Sequence, residues 1–107
     1  MIFESLAKQL CKKSNHKAYH HGVICVSGGA IVSMGHNFNH IHAEVNALKK
    51  LWPDHRRGIK VYSFRFSKGG KFAMAKPCSK CEAFLRESGV KTVYYTTETG
   101  EMKRMKL

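Results

Sequence analysis

Two short stretches hold side chains that can act together: His42-Ala43-Glu44 and Pro77-Cys78-Ser79-Lys80-Cys81. The spacing of Cys78 and Cys81 puts both sulfurs on one face of a single helical turn. At the start of a helix the backbone field lowers a thiol's pKa, as does a bound metal, and both favour thiolate. With His42 the set becomes two sulfurs and one imidazole, which suits Zn²⁺ in tetrahedral geometry with a fourth position left to water. Three protein ligands mark a catalytic rather than a structural zinc, since water on such an ion titrates near roughly pH 7. Glu44 follows His42 by two residues, and on an ideal helix those side chains point nearly opposite ways. His42 must therefore lie at the very edge of its helix if both are to face one ion. Glu44 is then the group that moves protons between water and substrate, not a ligand.

Each of these residues also has an ordinary reading. A Cys-x-x-Cys with one histidine fits a structural zinc knuckle, with Cys11, Cys25, His36 or His40 as a fourth ligand. His40 competes with His42, and the spacing to Glu44 favours His42. Glu44 alone reads as a carboxylate capping the first turn of a helix. Cys11 and Cys25 read as small buried residues. His16, His20, His21, His36 and His55 read as polar loop residues, with His20 and His21 a weaker candidate for touching a substrate phosphate. Phe38, Phe64, Phe66 and Tyr95 read as core before they read as stacking partners for a base, and Trp52 as core at a helix end.

The elements that must position these residues follow from hydropathy patterning. Ile2, Leu6 and Leu10 recur at helical spacing, which predicts an amphipathic helix to about Lys12. Residues 13–21 are polar and read as a loop. Residues 23–27 and 30–34 are short apolar runs about Gly28-Gly29, a hairpin signal. From Ala43 the spacing of Ala47, Leu48 and Leu51 predicts a second helix, ended by Pro53 and Asp54. Residues 59–66 are rich in β-branched and aromatic side chains and predict a strand. A turn at 68–71 leads into a short returning arm, and Pro77 opens a third helix that stops at Gly89. Strands over 91–96 and 102–107 close the chain. Helices between strands imply a sheet covered by helices, with crossovers through the second and third helices making the central strands parallel. Both motifs then fall at helix starts that follow strands, which gather along one sheet edge.

The bulk properties set bounds. A chain of 107 residues makes one domain, 1–107, with one core. No apolar run is long enough to span a bilayer, and Glu4 and Lys8 interrupt the region where a secretion signal is continuously apolar. A soluble cytoplasmic protein is expected, with no membrane partner. Nineteen Lys and Arg against seven Asp and Glu leave a formal charge of +12, a field that attracts phosphate on nucleotides or polynucleotides. The basic residues run from Lys8 to Lys106 without forming one tail, so they read equally as a solvated surface.

The paired motif resembles the zinc-binding signature of the cytidine and deoxycytidylate deaminase superfamily, whose members carry H-x-E and P-C-x-x-C. The likeness extends along nearly the whole chain and includes Gly35-His36-Asn37 ahead of the histidine. It is most similar to compact single-domain members from viruses and phages. The resemblance implies an α/β cytidine-deaminase-like layered fold: a mixed five-stranded sheet, helices on both faces and an antiparallel final pair. It implies Zn²⁺ on His42, Cys78 and Cys81, Glu44 as the catalytic proton shuttle, and substrate contacts at Asn37 and Ala43. The implied reaction replaces the amino group of cytosine in a pyrimidine nucleoside or nucleotide and releases ammonia. The tight turn before the last strand resembles deaminases of free nucleosides, whereas members that edit polynucleotides place a helix there. Two alternatives stand beside this reading: a cytosine deaminase acting on single-stranded DNA or RNA, motivated by the charge, and a zinc-stabilised nucleic-acid-binding module without catalysis. An exposed sheet edge and a small core are compatible with a homo-oligomer.

Overall fold

In the computed structural model, the described residues are 3–14, 19–38 and 41–107. Helix α1 spans Glu4–Cys11, and strands β1 (Tyr19–Ser27) and β2 (Ala30–His36) form a hairpin. Helix α2 (Ala43–Lys49) leads through a short 3₁₀ turn to β3 (Lys60–Ser67), followed by the two-residue arm β4 (Phe72–Ala73). Helix α3 (Ser79–Glu87), β5 (Thr92–Thr96) and β6 (Met102–Lys106) complete the chain.

The sheet runs β2-β1-β3-β5-β6, with β4 paired to β3. Among the described residues, only β3 and β5 are parallel neighbours. The crossover from β2 through α2 does not set β3 beside β2, as the expected run of parallel central strands requires. Instead β1 lies between them and pairs antiparallel with both. The consequence for the site is small, because β2 and β3 still point the same way and their C-terminal ends share one edge with the start of β1. The final β5–β6 pair is antiparallel, as expected.

Alternation along the strands divides the core in two. Ile24 and Val26 of β1 join Phe64 and Phe66 of β3 beneath Ala7, Leu10 and Cys11 of α1. Val23 and Cys25, pointing the other way, join Val61, Val93, Ala47, Leu48 and Leu85 beneath α2 and α3. Helices therefore cover both faces. Cys11 and Cys25 are buried among apolar neighbours, and desolvation pushes both thiols up to about 12. The β1–β2 turn uses Gly28 and Gly29 at positive φ, +57° and +82°, the conformation a two-residue hairpin with the native twist requires. Trp52, expected in the core, is 76% exposed: α2 ends at Lys49, before the helical face on which Trp52 would have been buried.

Candidate active site

The two motifs meet at the shared sheet edge. His42 is the N-cap of α2, with extended backbone (φ −69°, ψ 147°), and Cys78 is the N-cap of α3. Leaving the helix one residue early turns the His42 side chain toward the same region as Glu44, which the ideal helix alone forbids. Gly35 sets how closely α2 can approach. A Cβ there would lie 2.4 Å from the Ala47 nitrogen and 2.7 Å from the Ala43 carbonyl, so only glycine lets β2 and α2 touch backbone to backbone. Ser33 Oγ donates to the Ala47 carbonyl at 2.6 Å, and the His36 N–H donates to Asn46 Oδ1 at 3.1 Å. These bonds hold α2 in that register. Helix α3 is closed by a Schellman motif: Gly89 at φ +88°, with Val90 N–H donating to Leu85 and Gly89 N–H to Arg86.

One donor atom from each of His42, Cys78 and Cys81 lies within 4.8 Å of the others. His42 Nδ1 and Cys81 Sγ are 3.3 Å apart. Zinc–sulfur and zinc–nitrogen bonds in a tetrahedral site place such a pair about 3.6 Å apart, so this cluster needs little movement to close on an ion. The donor set, two soft sulfurs and an imidazole, fits Zn²⁺. Among the described residues no fourth His, Cys, Asp or Glu donor joins it. Cys11 lies on the opposite face of the sheet, and His40 and His16 lie outside the described residues. The backbone N–H groups of Cys81 and then Lys80 draw the Cys78 thiol below its usual value, although none reaches full capping geometry. Cys81 moves the other way: burial and then the charge of Glu44 push its thiol up.

Glu44 is 1% exposed, and its charge raises both thiols. A buried carboxylate is costly unless something engages it. Its Oε1 has no hydrogen-bond partner but faces His21 Nδ1 at 3.6 Å. His21, read from sequence as a loop residue, instead lies within β1 and is 3% exposed. Its Nε2 is 2.6 Å from Ser63 Oγ, and Ser63 Oγ donates onward to the Ala75 carbonyl at 3.0 Å. His21 Nε2 and Ser63 Oγ thus share a short hydrogen bond, and Nδ1 is the ring nitrogen turned toward Glu44. Desolvation, only partly offset by Glu44, brings His21 down to about 4, which keeps the ring neutral.

Asn37 and Ala43 lie beside this centre. Asn37 Oδ1 accepts from the His21 N–H at 2.9 Å, and its Nδ2 donates to the Tyr19 carbonyl at 3.3 Å. The amide thus clamps the end of β2 to the start of β1 and keeps one N–H and one lone pair for other partners. Ala43 is fully buried. Phe64 and Phe66 belong to the α1 core. Arg65, the cross-strand partner of His21, lays its guanidinium 5.9 Å from the Tyr19 ring centroid, and its Nε is buried without a partner among the described residues. Arg65, Lys71 and Glu98 line an open depression of about 460 Å³ that also touches Tyr19. His21, Ser63 and Arg65 are the site residues that pattern reading missed. The signal was period-two alternation running back from Cys25 through Val23 and His21 to Tyr19, hidden by the polar composition of residues 13–21.

The comparisons with known proteins agree with this geometry. The family model described as the cytidine and deoxycytidylate deaminase zinc-binding region matches residues 2–97. The fold is similar to the crystal structure of dCMP deaminase from the cyanophage S-TIM5 in apo form. There the identity is 27% over 89% of this chain and 79% of that one, with a TM-score of 0.66. Comparison with curated proteins finds no match. A family match over most of the chain, together with a His/Cys/Cys cluster at the edge where two helices begin, shows that the chain belongs to the cytidine and deoxycytidylate deaminase zinc-binding family.

Proposed function

We propose that the protein hydrolyses the exocyclic amino group of cytosine in a deoxycytidylate-type nucleotide, giving the uracil nucleotide and ammonia. The observation that carries this reading is the buried Glu44 beside the His42–Cys78–Cys81 cluster. His42, Cys78 and Cys81 would hold the zinc ion, whose Lewis acidity makes water's proton available to a carboxylate near neutral pH. Glu44 takes that proton and passes it to the ring nitrogen and the departing amine, so that the water oxygen replaces nitrogen and ammonia leaves. Asn37 and the backbone at Ala43 orient the nucleotide.

Two features favour a nucleotide over a bare nucleoside. One solved structure that this chain resembles is that of a dCMP deaminase. An open depression at Tyr19, whose carbonyl Asn37 holds, also carries Arg65 and Lys71 beside Glu98, and the two cations suit a phosphate. The formal charge of +12 favours a second reading, a cytosine deaminase acting on single strands, against which stands the tight turn between β5 and β6. Zinc-loaded protein offered dCMP, deoxycytidine and a cytosine-containing single-stranded oligonucleotide separates these readings by ammonia release. We expect the highest kcat/KM on dCMP. Turnover of the oligonucleotide alone would overturn the nucleotide reading.

A further inference from the structure

We propose that His21 is a positioning residue of this site: its buried ring bridges the carboxylate of Glu44 to Ser63, and through Ser63 to the segment that delivers Cys78. The inference rests on the deaminase reading for the role of Glu44 but on its own geometry for the bridge. The two halves of the site come from distant parts of the chain. Glu44 rides on α2, packed against β2. Cys78 follows Ala75, and Ala75 is held on both sides, its N–H donating to the Thr96 carbonyl at 2.9 Å and its carbonyl accepting from Ser63 Oγ at 3.0 Å. Within the described residues, His21 joins these halves through side chains near the sheet. One ring nitrogen meets Ser63 at 2.6 Å and the other faces Glu44 Oε1 at 3.6 Å.

The ring itself is well fixed. It stands on a central strand paired on both sides, the backbone N–H of His21 donates to Asn37 Oδ1, and Arg65 is its cross-strand neighbour on β3. Its Nε2 is held by Ser63 at 2.6 Å, which fixes the rotation of the ring. Its Nδ1 is thereby set against one carboxyl oxygen of Glu44 at 3.6 Å. The other carboxyl oxygen stays free for the reacting atoms. An apolar side chain of similar size would fill the space and leave Glu44 to choose its own rotamer.

The test compares His21→Leu, His21→Gln, which keeps a polar atom near Nε2, and His21→Asn, which keeps one near Nδ1. Each is zinc-loaded and assayed on dCMP with rates expressed per bound zinc. His21→Leu is expected to lose about 10- to 100-fold in kcat with little change in KM, the range for groups that orient metal-site residues. His21→Asn should recover more of that loss than His21→Gln. A purely structural role predicts instead a lower melting temperature with kcat per zinc unchanged, and that result overturns the proposal. Should His21→Leu fail to fold, the Asn and Gln variants carry the comparison, and equal kcat in both at the wild-type value overturns it.

A second readout does not depend on turnover. In ¹⁵N-labelled protein the His21 Nδ1 resonance should move in Glu44→Gln and not in Glu87→Gln, an exposed control. An Nδ1 resonance insensitive to Glu44→Gln overturns the bridge. Absence of wild-type activity on every cytosine compound would instead overturn the functional reading, leaving the resonance to decide the contact.

Discussion

The two faces of the sheet are built from the same strands, yet they differ in what they bury. Under α1 the side chains of β1 and β3 are chiefly Ile24, Val26, Phe64 and Phe66, with His20 near the start of β1. Under α2 and α3 the alternate positions begin apolar with Val23, Cys25 and Val61. Toward the site edge they become His21, Ser63 and Arg65. Both faces use glycine to admit a helix, but differently. A Cβ at Gly22 would meet the Cys11 sulfur at 2.9 Å, a side-chain atom, whereas one at Gly35 would meet α2 backbone. The α1 face can relax by moving side chains, while the α2 face is set by main-chain contact. The buried run from Glu44 through His21 to Ser63 lies on the α2/α3 face beside the His42–Cys78–Cys81 cluster, so that face is organised around chemistry as well as burial.

Substitutions on the two faces should therefore separate activity from stability. The largest effect is expected from Cys81→Ser: metal analysis should find zinc lost and ammonia release should fall to background. Leu10→Ala, under α1, should cost about 2–5 kcal/mol in denaturant unfolding, with kcat per bound zinc at the wild-type value. A fall in kcat per zinc would show that the faces are not independent.

The smallest effect concerns pH. His21 is lowered from 6.5 to about 4 by burial, so between those values the unfolded chain binds more protons than the folded one. Stability then rises with pH across that window. The contribution of neutral His21 is fully present above about 6.5 and is lost as pH falls toward 4, a change of up to about 3 kcal/mol. Glu44, Arg65 and His42 are the charges this ring feels. Melting temperatures between pH 4 and 7 should show this slope in the wild type and a shallower one in His21→Asn. Equal slopes would place the acid sensitivity elsewhere.

Much of the centre was legible in the sequence because it lies in local patterns. Cys78 and Cys81 are a turn apart, Pro77 marks the start of α3, and the His42–Glu44 spacing demanded the N-cap position that His42 holds. Strand order was legible only in part. The Gly28-Gly29 hairpin is local, but the placing of β1 between β2 and β3 is a non-local pairing without its own signature. His21 and Ser63 were illegible for a different reason. A histidine in the polar stretch 13–21 looks solvated until β1 is known to begin at Tyr19, and Ser63 matters only because β3 sets it opposite that ring. Trp52 failed in the opposite sense, since hydropathy alone cannot tell where a helix stops covering its neighbours.

The most direct measurement is ammonia release from dCMP by Glu44→Gln, compared with the wild type at matched zinc content. The substitution keeps size and removes the proton-accepting oxygen. We expect one bound zinc per chain in both proteins and a rate about 10²- to 10⁴-fold lower in the variant. A variant that holds zinc and deaminates at the wild-type rate would remove Glu44 from the proton path.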